Sequence, residues 1–146
     1  MIISFDLDDT LIPGTKQFAT EKQTIIHRLF GIEKIRLGTI ELVKQLRNRK
    51  HKIYIYTSSF RPKFYIKFLF YTYGIPIDFV INQQMHNTQL KVHKINTSKF
   101  PPAFNIDLHI DDSIGVKIEG ERYNFKTILI EENDNLWVHK ILDEVG

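Results

Sequence analysis

Five short apolar runs, rich in β-branched and aromatic residues, recur along this chain and are separated by segments with helical periodicity. Apolar runs of this length, bounded by polar or turn-forming residues, are typical of buried strands. We predict strands at 1–5, 53–56, 78–81, 107–110 and 127–130. Because strands alternate with helices, the pattern predicts an α/β fold with a doubly wound, mostly parallel five-stranded sheet.

Between these runs, apolar residues recur at spacings of three and four, which predicts amphipathic helices. We predict helices at 20–30, 39–49, 63–73 and 135–145. Thr39 and Asp134 are the expected N-caps of the second and the last of these helices. Thr20 and Gln23 have the spacing of a capping box, which favours a helix start at Thr20.

Two other segments lack a clear helical or strand period. Residues 82–102 are polar and end in a proline pair, so we expect a long loop, and loops of that length are often functional. The stretch from Gly115 to Gly120 is expected to form a turn.

Polar residues follow three predicted strands at the point where each strand ends. Asp6 and Asp8 follow the first strand, Thr57 follows the second, and Asp111 and Asp112 follow the fourth. Ligands of open parallel sheets bind beyond the carboxyl ends of the strands, so we expect these groups to meet. Converging carboxylates repel one another unless a cation lies among them, and oxygen ligands without cysteine or histidine favour Mg²⁺.

The segments FDLDDTL and HIDDS, separated by a hydrophobic strand that ends in Thr57 and then by a lysine, resemble the motifs of the haloacid dehalogenase (HAD) superfamily. The three motifs in this order are more specific than the first alone. The resemblance implies a Rossmann-like HAD core and a single HAD-like phosphatase domain over residues 1–146. The segment between Asp8 and Thr57 is short, so we expect no large cap domain.

The resemblance also implies a role for each matching residue. Asp6 would be the nucleophile that forms an aspartyl-phosphate, and it would also bind the metal. Asp8 would be the general acid and base, and its carbonyl would bind the metal. Thr57 would steady the phosphoryl oxygens, while Asp112 would bind the metal directly with Asp111 as its outer-sphere neighbour. An acid at Asp8 is typical of the phosphatase branch, so the expected function is that of a magnesium-dependent phosphatase.

The family also places a lysine before its last motif, where the ammonium offsets the charge of nucleophile and phosphate. Lys91, Lys94 and Lys99 all lie in the matching stretch. We favour Lys99, because two nearby prolines stiffen the chain that leads to the fourth strand. Its spacing to Asp111 is short for the family, and Lys94 is the reserve assignment.

Residues beside the motifs are further candidates. We expect Ser58 and Arg61 to bind substrate, because a guanidinium can bind a phosphate or a sugar carboxylate in bidentate fashion. The alternative for Arg61 is a solvated charge at a helix start. Asp9 is expected to stabilise the turn after the nucleophile rather than to contact substrate.

The predicted helix at 63–73 carries aromatic residues around most of its circumference, and an apolar helix of this kind is usually buried. Three interpretations remain open: packing on the sheet with some exposed aromatics, a homodimer interface, and stacking with nucleic acid bases. The aromatic residues are Phe64, Tyr65, Phe68, Phe70, Tyr71 and Tyr73.

Composition narrows the classes of function. The 146 residues include no cysteine, which excludes disulfides, thiolate metal sites and cysteine nucleophiles and fits a cytoplasmic protein. No apolar run is long enough to span a membrane, and we expect no membrane partner. His86, His93 and His109 are expected in loops or strands, not as zinc ligands.

The net charge of +3 is mild, and its densest basic run covers residues 47–52. This run is either a solvated helix C-terminus or a patch for nucleic acid. The second interpretation motivates an alternative function, a nucleic-acid or nucleotide end-processing phosphatase. A further alternative is a catalytically silent binding protein that keeps the fold.

Overall fold

All five predicted strands are present, each within one residue of its predicted ends, in the computed structural model, which describes residues 1–146. The strands are β1 Ile2–Phe5, β2 Lys52–Tyr56, β3 Phe79–Ile81, β4 Leu108–Asp111 and β5 Thr127–Leu129. They form one sheet in the order β3-β2-β1-β4-β5, and every neighbouring pair is parallel. The predicted doubly wound sheet is therefore confirmed, and it is entirely parallel.

Six α-helices and one short 3₁₀ helix connect and flank the strands. The helices are α1 Ile25–Leu29, α2 Thr39–Asn48, α3 Lys63–Thr72, α4 Gln83–His93, α5 Ile114–Tyr123 and α6 Trp137–Val145, with the 3₁₀ helix at Pro101–Phe104. The predictions for α2, α3 and α6 hold to within one or two residues. Only the five-residue α1 lies in the connection from β1 to α2, so there is no large cap domain.

The helices cover both faces of the sheet. α2, α3 and α6 contribute Leu46, Phe70 and Ile141 to a large apolar cluster on the first face. α4 packs on the second face through Met85, and Gly120 of α5 lies there against Thr127 of β5. From β1 the chain adds β2 and β3 on one side, and then β4 and β5 on the other side. Because crossovers between parallel strands are right-handed, the helices of the two halves lie on opposite faces of the sheet.

The second face carries a buried polar layer close to the strand ends. Ile3 and Phe5 of β1 lie in the large apolar cluster, so Ser4 between them points to the second face. Ser4 Oγ lies 2.8 Å from His109 Nδ1, and the His109 ring centroid lies 5.6 Å from that of Tyr56. Ser4, His109 and Tyr56 thus form a polar layer on the second face, next to the strand ends that carry the predicted site residues.

The prediction of a long loop at 82–102 is wrong, because this segment contains α4 and the 3₁₀ helix. Asn82 caps α4 by accepting a hydrogen bond from the Met85 N–H at 3.2 Å. Only His86 of α4 is buried, so the helix has almost no apolar stripe to reveal it in the sequence. His86 and His93 lie on this helix and not in a loop or strand.

The predicted turn from Gly115 to Gly120 is also wrong, because both residues lie within α5. Ser113 caps this helix and accepts from the Val116 N–H. Gly120 is required by packing: a Cβ at this position would lie 2.7 Å from the Phe125 carbonyl oxygen. The glycine that suggested a turn therefore permits close helix–strand contact.

Three predicted helix starts are wrong in detail. The N-cap of α6 is Leu136 rather than Asp134, which accepts from the Leu136 N–H at 3.0 Å. The helix expected at 20–30 begins at Ile25, where Thr24 and His27 form the capping box. Thr20 instead makes an isolated antiparallel bridge with Arg36. Thr39 is the first residue of α2 rather than its N-cap, which is Gly38 in a left-handed conformation.

None of the six helices is both long enough and apolar enough to cross a lipid bilayer.

Candidate active site

The polar residues at the strand ends meet at the carboxyl edge of the sheet. Backbone hydrogen bonds hold the strand ends in register: the Asp6 N–H donates to the Ile110 carbonyl and the Thr57 N–H to the Ile81 carbonyl, at 2.8 and 2.9 Å. A cavity of about 680 Å³ opens between them, and Val116 is its one apolar lining residue. Its other lining residues are Asp6, Asp8, Thr57, Ser58, Ser59, Arg61, Ser98, Lys99, Asp111, Asp112 and Ser113.

Asp6 is a buried carboxylate held between two donors. Its Oδ1 accepts from Lys99 Nζ at 2.9 Å, and its Oδ2 lies 3.3 Å from Thr10 Oγ1. Burial raises the pKa of Asp6 to about 7, with Lys99 lowering it and Asp111 raising it. The Lys99 ammonium thus opposes the cost of burying the charge and keeps a share of Asp6 ionised at neutral pH.

Lys99 is held in place at both its backbone and its side chain. Its N–H and the Ser98 N–H donate to the Glu119 carboxylate at 3.3 and 2.8 Å. Its Nζ also donates to Ser58 Oγ at 3.1 Å and lies 5.2 Å from the Tyr56 ring centroid, within range of a cation–π contact. These contacts fix the ammonium against Asp6 before any substrate arrives.

Asp8 lies at the mouth of the cavity in a chain of ionic contacts. Its Oδ2 accepts from Arg61 Nη1 at 2.9 Å, and Arg61 Nη2 donates to Glu33 Oε1 at 2.8 Å. Tyr65 donates its hydroxyl to the other Glu33 oxygen at 3.0 Å. The Asp8 side chain is about half exposed, so a substrate oxygen can approach it. Arg61 therefore orients Asp8 here, and its role in substrate binding stays a prediction.

Asp111 is buried, and both its oxygens have partners. Oδ2 accepts from His109 Nε2 and Oδ1 from the Ser113 N–H, both at 2.9 Å. Burial lowers the pKa of His109, so its ring is neutral at pH 7, and its Nδ1 accepts from the Ser4 hydroxyl. Burial also disfavours the Asp111 carboxylate, but the hydrogen bond from His109 holds its pKa below the ordinary value.

Asp112 is the more accessible of the two adjacent aspartates. Its Oδ2 accepts from Lys16 Nζ at 2.7 Å. Its Oδ1 lies 3.1 Å from Thr10 Oγ1, whose single proton is donated either to this oxygen or to Asp6 Oδ2. Carboxylate oxygens of Asp6, Asp111 and Asp112 lie within 4.8 Å of one another. An all-oxygen donor set of this size fits Mg²⁺, which takes one or two carboxylates and keeps several waters.

All eight predicted site residues line the one cavity, although their roles stay predictions. Of the three candidate lysines, Lys99 is the one that contacts Asp6, while Lys91 and Lys94 are exposed on α4 and at its C-cap. Asp9 stabilises the turn after Asp6, as expected, by accepting from the Lys16 N–H at 2.8 Å.

Ser59, Ser98, Ser113 and Val116 line the cavity and were not predicted as site residues. Thr10, Lys16, Glu33 and Glu119 contact site residues from outside this lining and were also not predicted. Thr10 belongs to the first motif, and its position four residues after Asp6 could have suggested the contact. Lys16, Glu33 and Glu119 stand outside the motifs, and no spacing in the sequence relates them to the residues that they contact.

No protein-family model and no curated protein matches this sequence. Among solved structures, the chain is similar to a HAD-superfamily hydrolase from Ehrlichia chaffeensis, with a TM-score of 0.54 over 97% of both chains and 12% sequence identity. At this identity the similarity shows the fold alone. The chain therefore has the fold of the HAD superfamily, as its motifs suggested.

Proposed function

We propose that this protein is a magnesium-dependent phosphatase that hydrolyses phosphate monoesters through an aspartyl-phosphate intermediate. The observation that carries the proposal is the buried contact of 2.9 Å between Asp6 and Lys99 Nζ, within a polar cavity that holds three further aspartates. A buried carboxylate with a perturbed pKa in a cleft is a candidate nucleophile. The HAD fold supports the same conclusion, and the similar structure from Ehrlichia chaffeensis is that of a hydrolase.

In the first step, an Asp6 oxygen forms a bond to phosphorus as the bond between phosphorus and the leaving oxygen breaks. Asp8, at the mouth of the cavity, enters this step protonated on the oxygen that Arg61 does not contact; it donates that proton to the leaving oxygen, and the alcohol departs. Arg61 holds the Asp8 carboxyl group at 2.9 Å and so limits the orientations available to it. The products of this step are the free alcohol and phosphorylated Asp6.

In the second step, water attacks phosphorus and loses a proton to Asp8, while the bond between phosphorus and Asp6 breaks. Inorganic phosphate leaves and Asp6 is restored as a carboxylate. Asp8 thus acts as acid in one step and as base in the next, which requires partial exposure to water. Its half-exposed side chain meets that requirement.

Positive charge and hydroxyl donors surround the position of the phosphoryl group. The Lys99 ammonium lies against Asp6 and Ser58, so it also faces a phosphoryl group bonded to Asp6. The Thr57 hydroxyl oxygen accepts from the Ser59 N–H at 3.0 Å, which leaves its proton for a phosphoryl oxygen. Mg²⁺, held by Asp6, the Asp8 carbonyl and Asp112, would supply charge that offsets the phosphate and the carboxylates.

Hydrolysis of p-nitrophenyl phosphate tests the proposal. We expect turnover with Mg²⁺, its loss with EDTA and its return when Mg²⁺ is restored, because the acidic cluster needs a cation before a phosphate dianion can enter. Acid-quenched protein should carry phosphate on Asp6 by peptide mapping. A protein that binds Mg²⁺ but turns over no ester in a broad metabolite-phosphate panel would support the silent binding protein instead.

The alternative of a nucleic-acid end-processing enzyme rested on the basic run at 47–52. This run lies at the amino ends of the strands, away from the cavity, because β2 begins at Lys52 and its carboxyl end lies beside the cavity. Arg47 is bonded to Asp78 and the Pro76 carbonyl, and Arg49 to the Leu142 carbonyl. These contacts favour a structural role for the run. We propose instead a hydrophilic phosphate ester as the substrate, because eleven of the twelve residues that line the cavity are polar or charged.

The exposed side of α3 supports a second proposal, that two copies of this chain associate. Phe60, Phe64, Phe68 and Tyr71 form an aromatic face and are 49–76% exposed. At this spacing Phe64, Phe68 and Tyr71 lie on one side of α3, and Phe60 precedes the helix. The inward-facing Ile66, Leu69, Phe70 and Tyr73 are buried in the apolar core, and Tyr65 is partly buried against it. The predicted sheet packing therefore accounts for three of the six aromatic residues and leaves Phe64, Phe68 and Tyr71 exposed.

The neighbouring α1 extends the aromatic face. His27 of α1 stacks on Tyr73, with ring centroids 4.2 Å apart, and lies 2.9 Å from the Thr72 carbonyl oxygen. The outward residues of α1, which are 60–77% exposed, are Ile25, Ile26, Leu29 and Phe30. Together, the two surfaces offer apolar area of the same order as the roughly 800 Å² that each partner buries in a standard interface.

Replacing both Phe64 and Tyr71 with glutamate tests this association. We expect a dimer for the wild type at micromolar concentration and a monomer for the double variant, by size-exclusion chromatography with light scattering, because charge cannot be buried unpaired. Val92→Glu, at a 69% exposed position on α4, is the matched control and should stay dimeric. A monomeric wild type would overturn the proposal.

A further inference from the structure

Lys16 lies against a proposed metal ligand although it stands outside the motifs. Its Nζ makes two contacts with Asp112, at 2.7 Å to Oδ2 and 3.1 Å to the carbonyl oxygen. The two side chains are only 33% and 14% exposed, so solvent screens the pair incompletely. A cation is therefore already bound to the carboxylate that a metal would need.

The turn that carries Lys16 is held tightly. Asp9 has a left-handed backbone with φ 65°, and its Oδ1 accepts from the Lys16 N–H at 2.8 Å. A Cβ at Gly14 would lie 2.9 Å from the same Asp9 oxygen, so a side chain at this position would displace the Asp9 carboxylate. The Gly14 N–H donates to the Lys16 carbonyl, which closes the turn at 3.1 Å. Asp9, the third aspartate of the first motif, thus holds the turn that places Lys16 beside Asp112.

The contacts of Asp112 limit what a divalent cation can do there. Its Oδ2 is bonded to Lys16 and its Oδ1 faces the Thr10 hydroxyl. An ion that binds this carboxylate must displace one of these donors or share an oxygen with it. Sharing with an ammonium brings like charges into close contact, which disfavours the ion.

We propose that Lys16 is a built-in counter-ion for the acidic cluster: it stabilises the metal-free site and lowers its affinity for Mg²⁺. In the metal-free protein, the ammonium offsets repulsion among Asp6, Asp111 and Asp112, which Lys99 alone cannot neutralise. When Mg²⁺ binds, the Lys16 side chain moves away from Asp112. The inference rests on the proposed metal site, but it concerns binding and stability rather than turnover.

Lys16→Met tests the proposal, because methionine keeps most of the side-chain volume and removes the charge. We expect Mg²⁺ to bind this variant about 10-fold more tightly than the wild type by calorimetry, a modest effect because Lys16 is partly exposed. In EDTA the variant should unfold at a lower temperature, and Mg²⁺ should raise its Tm by more than it raises that of the wild type. Lys16→Arg, which keeps the charge, should resemble the wild type.

Lys126→Met is the matched control, because Lys126 also pairs with a carboxylate, that of Glu144. Lys126 directly precedes β5 and so lies at the amino ends of the strands, away from the cavity at their carboxyl ends. Its affinity for Mg²⁺ should equal that of the wild type. Equal or weaker Mg²⁺ binding by Lys16→Met would overturn the inference, as would a wild type that binds no Mg²⁺. None of these measurements needs turnover. If Lys16→Met binds Mg²⁺ more tightly but neither protein hydrolyses any ester, this inference is upheld and the proposed phosphatase activity is refuted.

Discussion

Replacement of Asp6 with asparagine is expected to reduce kcat for p-nitrophenyl phosphate by at least about 10⁴-fold, because the amide cannot form the bond to phosphorus. Asparagine has nearly the same shape as aspartate, and its oxygen can still accept from Lys99, which lies 2.9 Å away in the wild type. Loss of turnover without loss of fold or of Mg²⁺ binding would therefore identify the nucleophile. The measurement is kcat at saturating Mg²⁺ and substrate, with circular dichroism to establish the fold.

Asp143→Asn is the control for this substitution, because Asp143 is an exposed carboxylate on α6. Its turnover should equal that of the wild type. Turnover by the Asp6 variant within about 10-fold of wild type would contradict the proposed mechanism, since no other group in the chain is assigned to attack phosphorus.

Replacement of Lys99 with methionine is expected to lower kcat by about 10²–10³-fold, the usual effect of removing one preorganised charge from a transition state. Lys91→Met and Lys94→Met, at the two other lysines that fit the motif spacing, are the matched controls. Both side chains are exposed on or beside α4, so neither substitution should change kcat by more than about 2-fold. A large loss at Lys94 with none at Lys99 would reverse the assignment.

The same variant has a predicted pH dependence. In the wild type, burial raises the pKa of Asp6 to about 7 while Lys99 lowers it, so removal of the ammonium raises this pKa further. The nucleophile must be ionised, so activity rises as pH increases through the pKa of Asp6, which bound Mg²⁺ lowers in the wild type and the variant alike. We therefore expect the rising limb of the pH–rate profile to move to higher pH in Lys99→Met. An unchanged profile would show that Lys99 does not act on Asp6.

The strands could be predicted because their signal is local. A parallel strand with helices on both sides is mostly apolar along its length, and the abrupt change to aspartate or threonine marks where its apolar run ends. Asp6, Thr57 and Asp111 each stand at such a change, and each lies at the carboxyl edge of the sheet. The sheet and the edge that carries the site were accordingly predicted from the sequence.

The errors fall where stability comes from local caps or close packing rather than from an apolar stripe. α4 buries only His86, so its sequence has the pattern of a polar loop. Its ends are set by the N-cap Asn82 and by the C-cap Lys94, which has a left-handed backbone. α5 contains two glycines that suggested a turn, and Gly120 is needed there because a side chain would collide with the Phe125 carbonyl. Neither reason can be seen in hydrophobic periodicity.

The sequence by itself determined the alternation of strands and helices, the edge of the sheet at which acidic residues gather, and the motif order typical of the HAD superfamily. Only the tertiary structure decided which partner each acid has: Lys99 for Asp6, Lys16 for Asp112 and Arg61 with Glu33 for Asp8. The strand pattern depends on neighbours within a few residues, and such neighbours are visible in the sequence. The ion pairs join residues 93, 96 and 53 positions apart, and their distances are set by how helices and turns pack around the sheet.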